Sequence, residues 1–144
     1  MRTMSVALAV VTAGLGVAVP AAAVAQDASI SGIYEVKYEE VSTNCGDRKL
    51  QYTPGKLKID IKGKQLLVDI DRTPPMYGVP APNGKVSAKS RIGDTMMGGM
   101  KGVFSVAGRI TAEGQLHLVM VGEYSVDGKP LCTQSWNVSG PRAR

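Results

Sequence analysis

Met96-Met97-Gly98-Gly99-Met100 places three thioethers on a glycine-flexed segment. Thioether sulfur is a soft ligand, and three converging sulfurs could hold Cu(I). Methionine is also unbranched and polarizable, which suits an adaptable apolar contact or a plug. No histidine lies nearby in the chain, so apolar contact is the expected role and no metal is expected. Asp69 and Asp71 alternate along one strand-like run, with Asp60 expected across a hairpin from them. Paired carboxylates do acid–base work only when burial or a neighbour shifts one of them. Leu66, Val68 and Ile70 take the inward places here, and Lys58 and Lys62 alternate with Asp60. That pattern describes a solvated charged face. The single histidine, His117, could be paired with Ser87, Ser105 or Ser125, but no nucleophile-elbow motif surrounds any of them. One His and two Cys also fall short of a usual zinc set. The chain is therefore not expected to be an enzyme or to carry a cofactor.

Gln134 and Ser90 are polar residues at inward positions. Either they direct hydrogen bonds at a ligand in a cavity or they satisfy nearby backbone and water. Asn137-Val138-Ser139 fits the N-glycosylation pattern, which matters only in a eukaryotic secretory setting. The terminal Pro141-Arg142-Ala143-Arg144 is expected to fray.

The first 25 residues read as an export signal. Arg2 supplies a positive start, an apolar run follows to Val19, Pro20 breaks it, and Ala23-Val24-Ala25 fits the small-x-small cleavage pattern. The run is shorter than the roughly 20 residues that span a bilayer. The expected mature chain starts at Gln26, occupies residues 26–144 as one domain, and is periplasmic or secreted with no membrane span. An oxidising compartment favours a Cys45–Cys132 bridge, the one intramolecular pairing possible. So long a loop would stabilise by about 4.5 kcal/mol in the chain-entropy model. The charge, 17 basic against 12 acidic residues, is modest and scattered, so nucleic acid is not an expected partner.

Behind these residues stands a period of two rather than 3.6. Alternating runs cover residues 33–41, 56–62, 65–71, 76–80, 85–92, 101–110, 115–124 and 130–139. Tyr34, Val36 and Tyr38 share one face of the first run. Leu57, Ile59, Ile61, Leu66, Val68, Ile70, Leu116 and Leu118 are the expected core, joined by Val86, Ala88, Ser90, Ile92, Phe104, Val106, Ile110, Met120, Tyr124, Cys132, Trp136 and Val138. Gly63, Asn83-Gly84 and Gly114 mark tight hairpins. Successive antiparallel strands put their connections at alternate ends. With eight strands, 62–64, 82–84 and 112–114 share one end, and 42–55, 71–75, 92–100 and 125–129 share the other. That count brings Cys45 and Cys132 to the same end, as a bridge requires. It also makes the first and last strands antiparallel, so the sheet can close. The expected fold is all-β, an eight-stranded up-and-down meander forming a closed or nearly closed barrel.

Gly32-Ile33-Tyr34 stands where lipocalins open their first strand with Gly-x-Trp, here with Tyr for Trp and the single Trp136 in the last strand. On architecture the chain resembles the lipocalin-like, or calycin, group of small exported barrels. Shape alone does not carry function. The expected role is a monomeric, non-catalytic barrel binding a small apolar or amphipathic molecule at the end with the long loops. The alternative is an inhibitor-like module that binds an envelope protein through loops 42–55 and 92–100. Loop tips vary while the sheet fixes their bases, so function is expected there. Asn44, Arg48, Tyr52, Met76, Met96, Met97, Met100 and Lys101 are the candidate contacts. Met and Tyr offer apolar surface, and Arg48 and Lys101 could meet an anionic group.

Overall fold

The computed structural model describes residues 30–144. The expected leader and the start at Gln26 lie outside the described residues. Among the described residues nine strands run in chain order: β1 (Gly32–Thr43), β2 (Gly55–Lys62), β3 (Gln65–Ile70), β4 (Met76–Gly78), β5 (Lys85–Ser90), β6 (Gly93–Asp94), β7 (Lys101–Ile110), β8 (Gln115–Val126) and β9 (Lys129–Pro141). All pairings are antiparallel. The first half of β1 pairs with β2 and the second half with β9. At the far side β5 pairs with β7, so every strand but β6 belongs to one hydrogen-bonded ring. Those eight strands are the expected meander. The additional β6 is a two-residue piece of the 91–100 connection, laid against the start of β7.

Alternation delivers the inward faces as expected. Tyr34, Leu57, Leu66, Val68, Phe104, Leu116, Met120 and Val138 are among the most deeply buried, and the inward side chains form one continuous cluster. Two expectations need correction. Ile61 is only half-buried, because β1 begins opposite Ile59 and leaves the end of the β2–β3 hairpin uncovered. Ile92 is 61% exposed, because β5 ends at Ser90. There the Ser90 hydroxyl accepts from the Phe104 backbone N–H (2.9 Å) and donates to the Arg91 carbonyl (2.8 Å), in place of the next ladder pair. The fourth strand is also shorter than expected, and Val79 beyond it is exposed.

The C-terminal segment does not fray. Arg142 lies across the tight-turn end, its backbone N–H bonded to the Gly114 carbonyl (2.9 Å) and its Nη2 donating to the Tyr34 hydroxyl (3.0 Å). Tyr34 in turn donates to the Ile30 carbonyl (2.7 Å), and the guanidinium sits 5.5 Å from the Tyr34 ring centroid. Ala143 N–H reaches the Ile33 carbonyl (2.7 Å). A tail that supplies the backbone partners of Gly114 and Ile33 is an element of the fold.

The ring is narrow, and inward glycines make room for its largest side chains. Phe104 and Tyr124 pack with centroids 5.9 Å apart. A methyl group at Gly122 would sit 2.8 Å from the Tyr124 hydroxyl and 3.0 Å from the Phe104 ring. Gly122→Ala is therefore expected to cost about 1–3 kcal/mol through overpacking. Gly98→Ala, in open space and without a positive φ, should leave the denaturation midpoint within experimental scatter. Equal midpoints for both variants in urea denaturation would contradict a filled interior.

Candidate functional site

The long connection after β1 folds across the mouth of the ring instead of standing clear of it. The Cys45–Cys132 bridge, with Cα atoms 5.1 Å apart, ties it to the start of β9. Asn44 extends the β1–β9 ladder past the bridge: its N–H donates to the Thr133 carbonyl (3.3 Å), and its Oδ1 accepts from Thr133 N–H (2.8 Å). A 3-10 turn, Gly46–Arg48, then reverses the chain. It delivers Leu50, 4% exposed, over the interior.

Gln134 holds that position. Its Oε1 accepts from Leu50 N–H (2.9 Å) and from the Tyr124 hydroxyl (2.9 Å). Its Nε2 donates to the Leu50 carbonyl (2.9 Å) and to Glu40 Oε2 (2.6 Å). A primary amide has two donors and two acceptor sites, and all four are used. Gln134 and Ser90 thus satisfy backbone, and a ligand-directed role is not what their contacts describe. Two residues after Leu50, Tyr52 packs edge-on against Trp136 (5.1 Å) and beside Tyr38 (4.9 Å). Its hydroxyl is hydrogen-bonded to that of Thr73 (2.6 Å).

Beside this plug lies a cleft of about 450 Å³, walled by Tyr38, Tyr52 and Pro54, by Arg72 after β3, and by Met96, with Lys56 at its edge. It adjoins a groove of about 750 Å³ that runs past Pro74 and Thr95 to Lys58 and Ile33. Lys56, Ile70, Asp71, Arg72 and Met96 line both, so the two are one channel along the loop end. Burial pushes the Tyr38 hydroxyl well above the ordinary tyrosine range, with Tyr52 adding to the shift. Burial also raises Tyr52, opposed by its Thr73 hydrogen bond and by the Arg72 charge. Tyr124 is raised by burial first, then by Tyr52 and Glu40. Tyr38 and Tyr52 therefore present neutral hydroxyls at the cleft. Among the described residues the Tyr38 hydroxyl has no hydrogen-bond partner.

The candidate contacts named from sequence divide. Tyr52 and Met96 line the cleft. Met97 is half-buried against the core, where its N–H and carbonyl bond Thr95 Oγ1. Met76 and Met100 are core residues, 0% and 3% exposed, so neither reaches the surface. Thus Met96, Met97 and Met100 do not stand together on an exposed tip. Asn44 is used in the ladder. Lys101 is ion-paired with Asp94. Arg48 is exposed on the 3-10 turn and lines neither part of the channel. Tyr38, Lys56 and Arg72 were not named. A signal existed: Tyr38 is the last regular inward position before the plug, and Arg72 lies in the 71–75 connection at the same end.

The other constellations dissolve. Asp60 stands opposite Leu67 and Asp69 opposite Lys58 on one outward face, and Asp69 and Asp71 line the open groove, as a solvated charged face requires. His117 is exposed between Arg109 and Ser139, and Ser139 is flanked on its far side by Lys37. No carboxylate occupies that row to orient the imidazole. Among the described residues no group of three or more His, Cys, Asp or Glu comes together as a metal site would need.

Two outcomes follow from the plug. Gln134→Leu keeps the bulk but removes the partner of the Leu50 backbone groups and of the Tyr124 hydroxyl, leaving Glu40 only Lys49, and urea denaturation should show a loss of about 3 kcal/mol. A loss under about 1 kcal/mol would mean that the clamp is not a coupled unit. In alkali the sign is also set. Tyr38, Tyr52 and Tyr124 hold their protons more tightly folded than unfolded, so stability is intact below about pH 10 and falls as pH climbs above it. Their phenolate absorbance should appear together with the change in Trp136 fluorescence on unfolding, not before it.

Comparison with protein-family models, with curated proteins and with solved structures finds no match, which leaves the geometry of the loop end as the ground for a functional reading.

Proposed function

We propose that this is an exported, non-catalytic binding protein whose channel at the loop end takes a segment of a partner protein of the cell envelope. The observation that carries the reading is where the empty space lies. The interior is filled by its own side chains and closed by Leu50 above and Arg142 below, whereas the joined cleft and groove run open across the surface. A lipocalin-like barrel would hold its ligand inside, and here the filled core takes that place. A small-molecule site usually buries most of its ligand. An open channel that passes from Tyr52 over Met96 to Ile33 is better matched by an extended chain. Lys56, Lys58 and Arg72 alternate with Asp69 and Asp71 along it, which suits polar contact at a protein rim. The bridge, and the absence among the described residues of a helix able to cross a membrane, are compatible with export.

One observation favours a second reading. The partnerless Tyr38 hydroxyl lies in the 450 Å³ cleft near Lys56 and Arg72, a setting for the head group of an amphipathic anion. A photo-crosslinker at Tyr52 or Met96 is expected to capture a discrete partner in a cell-envelope extract, and one at Gly63 is not. Met96→Asp should weaken that capture about tenfold or more. Saturable displacement of a fluorescent fatty acid from the wild type, lost in Met96→Asp and with no captured protein, would overturn the reading in favour of the amphipathic anion.

A further inference from the structure

A second surface lies away from the loop end and does not rest on the reading above. On the outer face of β5 and β7, two cations meet: Lys85 stands directly opposite Arg109, whose other neighbour, on β8, is His117. Like charges across a sheet are destabilising. The opposite side of the ring follows the usual rule: Glu35 faces Lys56, and Lys58 faces Asp69. Lys85, Lys89, Arg109 and His117 are all exposed, and among the described residues none of their side chains has an ion pair or a hydrogen bond. Of the outward residues of β5, β7 and β8, Glu123 is the single acid, and it sits toward the loop end.

The cations border a concavity of about 600 Å³. Its floor is small, from Ser87, Ser105 and Ala107, and its walls are Tyr77 with Val79 on one side and Val119 with Val121 on the other. Val79 is 71% exposed and Val119 47%, a sizeable apolar presence on an outer face. Cross-strand order sets Lys89 beside Tyr77 and Ser105, and Lys85 beside Arg109, so unpaired positive charge stands at both ends of the groove.

We propose that this face docks an acidic polypeptide segment that lays apolar side chains between the two walls and sets carboxylates against Lys85, Arg109 and Lys89. Charge complementarity selects the sign of the partner, and the groove selects its shape. A trough between two ridges accepts a chain, whereas a flat lipid surface would rest on the ridges and leave the floor unfilled. Nucleic acid would find too few cations and no use for the valine walls.

The test uses the disulfide-bonded protein and a fluorescein-labelled peptide of alternating Glu and Val, with Lys/Val and Glu/Ser peptides as controls. Phosphatidylglycerol vesicles and duplex DNA form two further arms. The Glu/Val peptide is expected to bind saturably and more tightly than either control, the vesicles or the DNA. The double variant Lys85→Glu, Arg109→Glu should weaken it about tenfold or more, and so should Val119→Asp. Arg48→Glu, a charge reversal on the exposed 3-10 turn at the loop end and outside the channel, should leave it unchanged. Thermal melting verifies that each variant is folded, and the single Arg109→Glu is expected to melt no lower than wild type because it removes a like-charge contact. Absence of saturable binding, equal binding of the Lys/Val peptide, indifference to the double variant, or tighter binding to vesicles or DNA would each overturn the proposal.

Discussion

A buried amide on β9 joins the parts of the molecule that the chain order keeps far apart. Gln134 bonds both backbone groups of Leu50, the hydroxyl of Tyr124 and the carboxylate of Glu40. A glutamine inside a barrel is costly unless every donor and acceptor is satisfied, and complete satisfaction turns that cost into specificity of position. Because both Leu50 backbone groups are held, the connection after β1 has one place to lie. The Cys45–Cys132 bridge anchors the same connection at its base. Tyr52 then reaches Trp136, Tyr38 and Thr73, and the mouth of the ring is closed by contacts that all depend on where Leu50 sits.

The plug and the tail cover the two ends of a ring whose inward side chains pack as one cluster. Tyr34, fastened by Arg142, blocks the tight-turn end as the plug blocks the other. Between them the inward glycines at 102 and 122 lie close against the Phe104 and Tyr124 rings, so volume is matched rather than merely hydrophobic. The wall of a small barrel is a rigid support, and its outward residues are free of packing demands. Two features there depart from a merely solvated surface: the aromatic and methionine channel at the loop end, and the facing cations Lys85 and Arg109 beside the valine-walled groove.

The disulfide and the glutamine clamp act on the same segment by different physics. The bridge acts through the unfolded chain, whose freedom it restricts over a separation of 87 residues. The clamp acts in the folded state, through hydrogen bonds made where water is excluded. The tyrosines around the plug feel the same exclusion, which is why burial heads the causes of all three raised hydroxyls.

The sequence by itself determined the strands, most of the inward side chains, the tight turns, the parity that brings Cys45 and Cys132 together, and Tyr52 and Met96 as loop-end residues. These are local properties. Alternation has a period of two residues, and a positive-φ turn is declared by the glycine or asparagine that occupies it. Tertiary structure alone decided the rest. Whether Gln134 would face a ligand or a backbone depended on Leu50, 84 positions away. Met100 looked like a loop residue beside Met96, and Met76 opened a short run at the same end, yet both are buried in the core. Ile92 kept the alternation but lost its strand when the Ser90 hydroxyl ended the ladder. The tail became an element because Gly114 and Ile33 had backbone groups to satisfy. The row of Lys85, Arg109 and His117 exists only in the register of three strands, and register is a relation between segments that no single segment encodes.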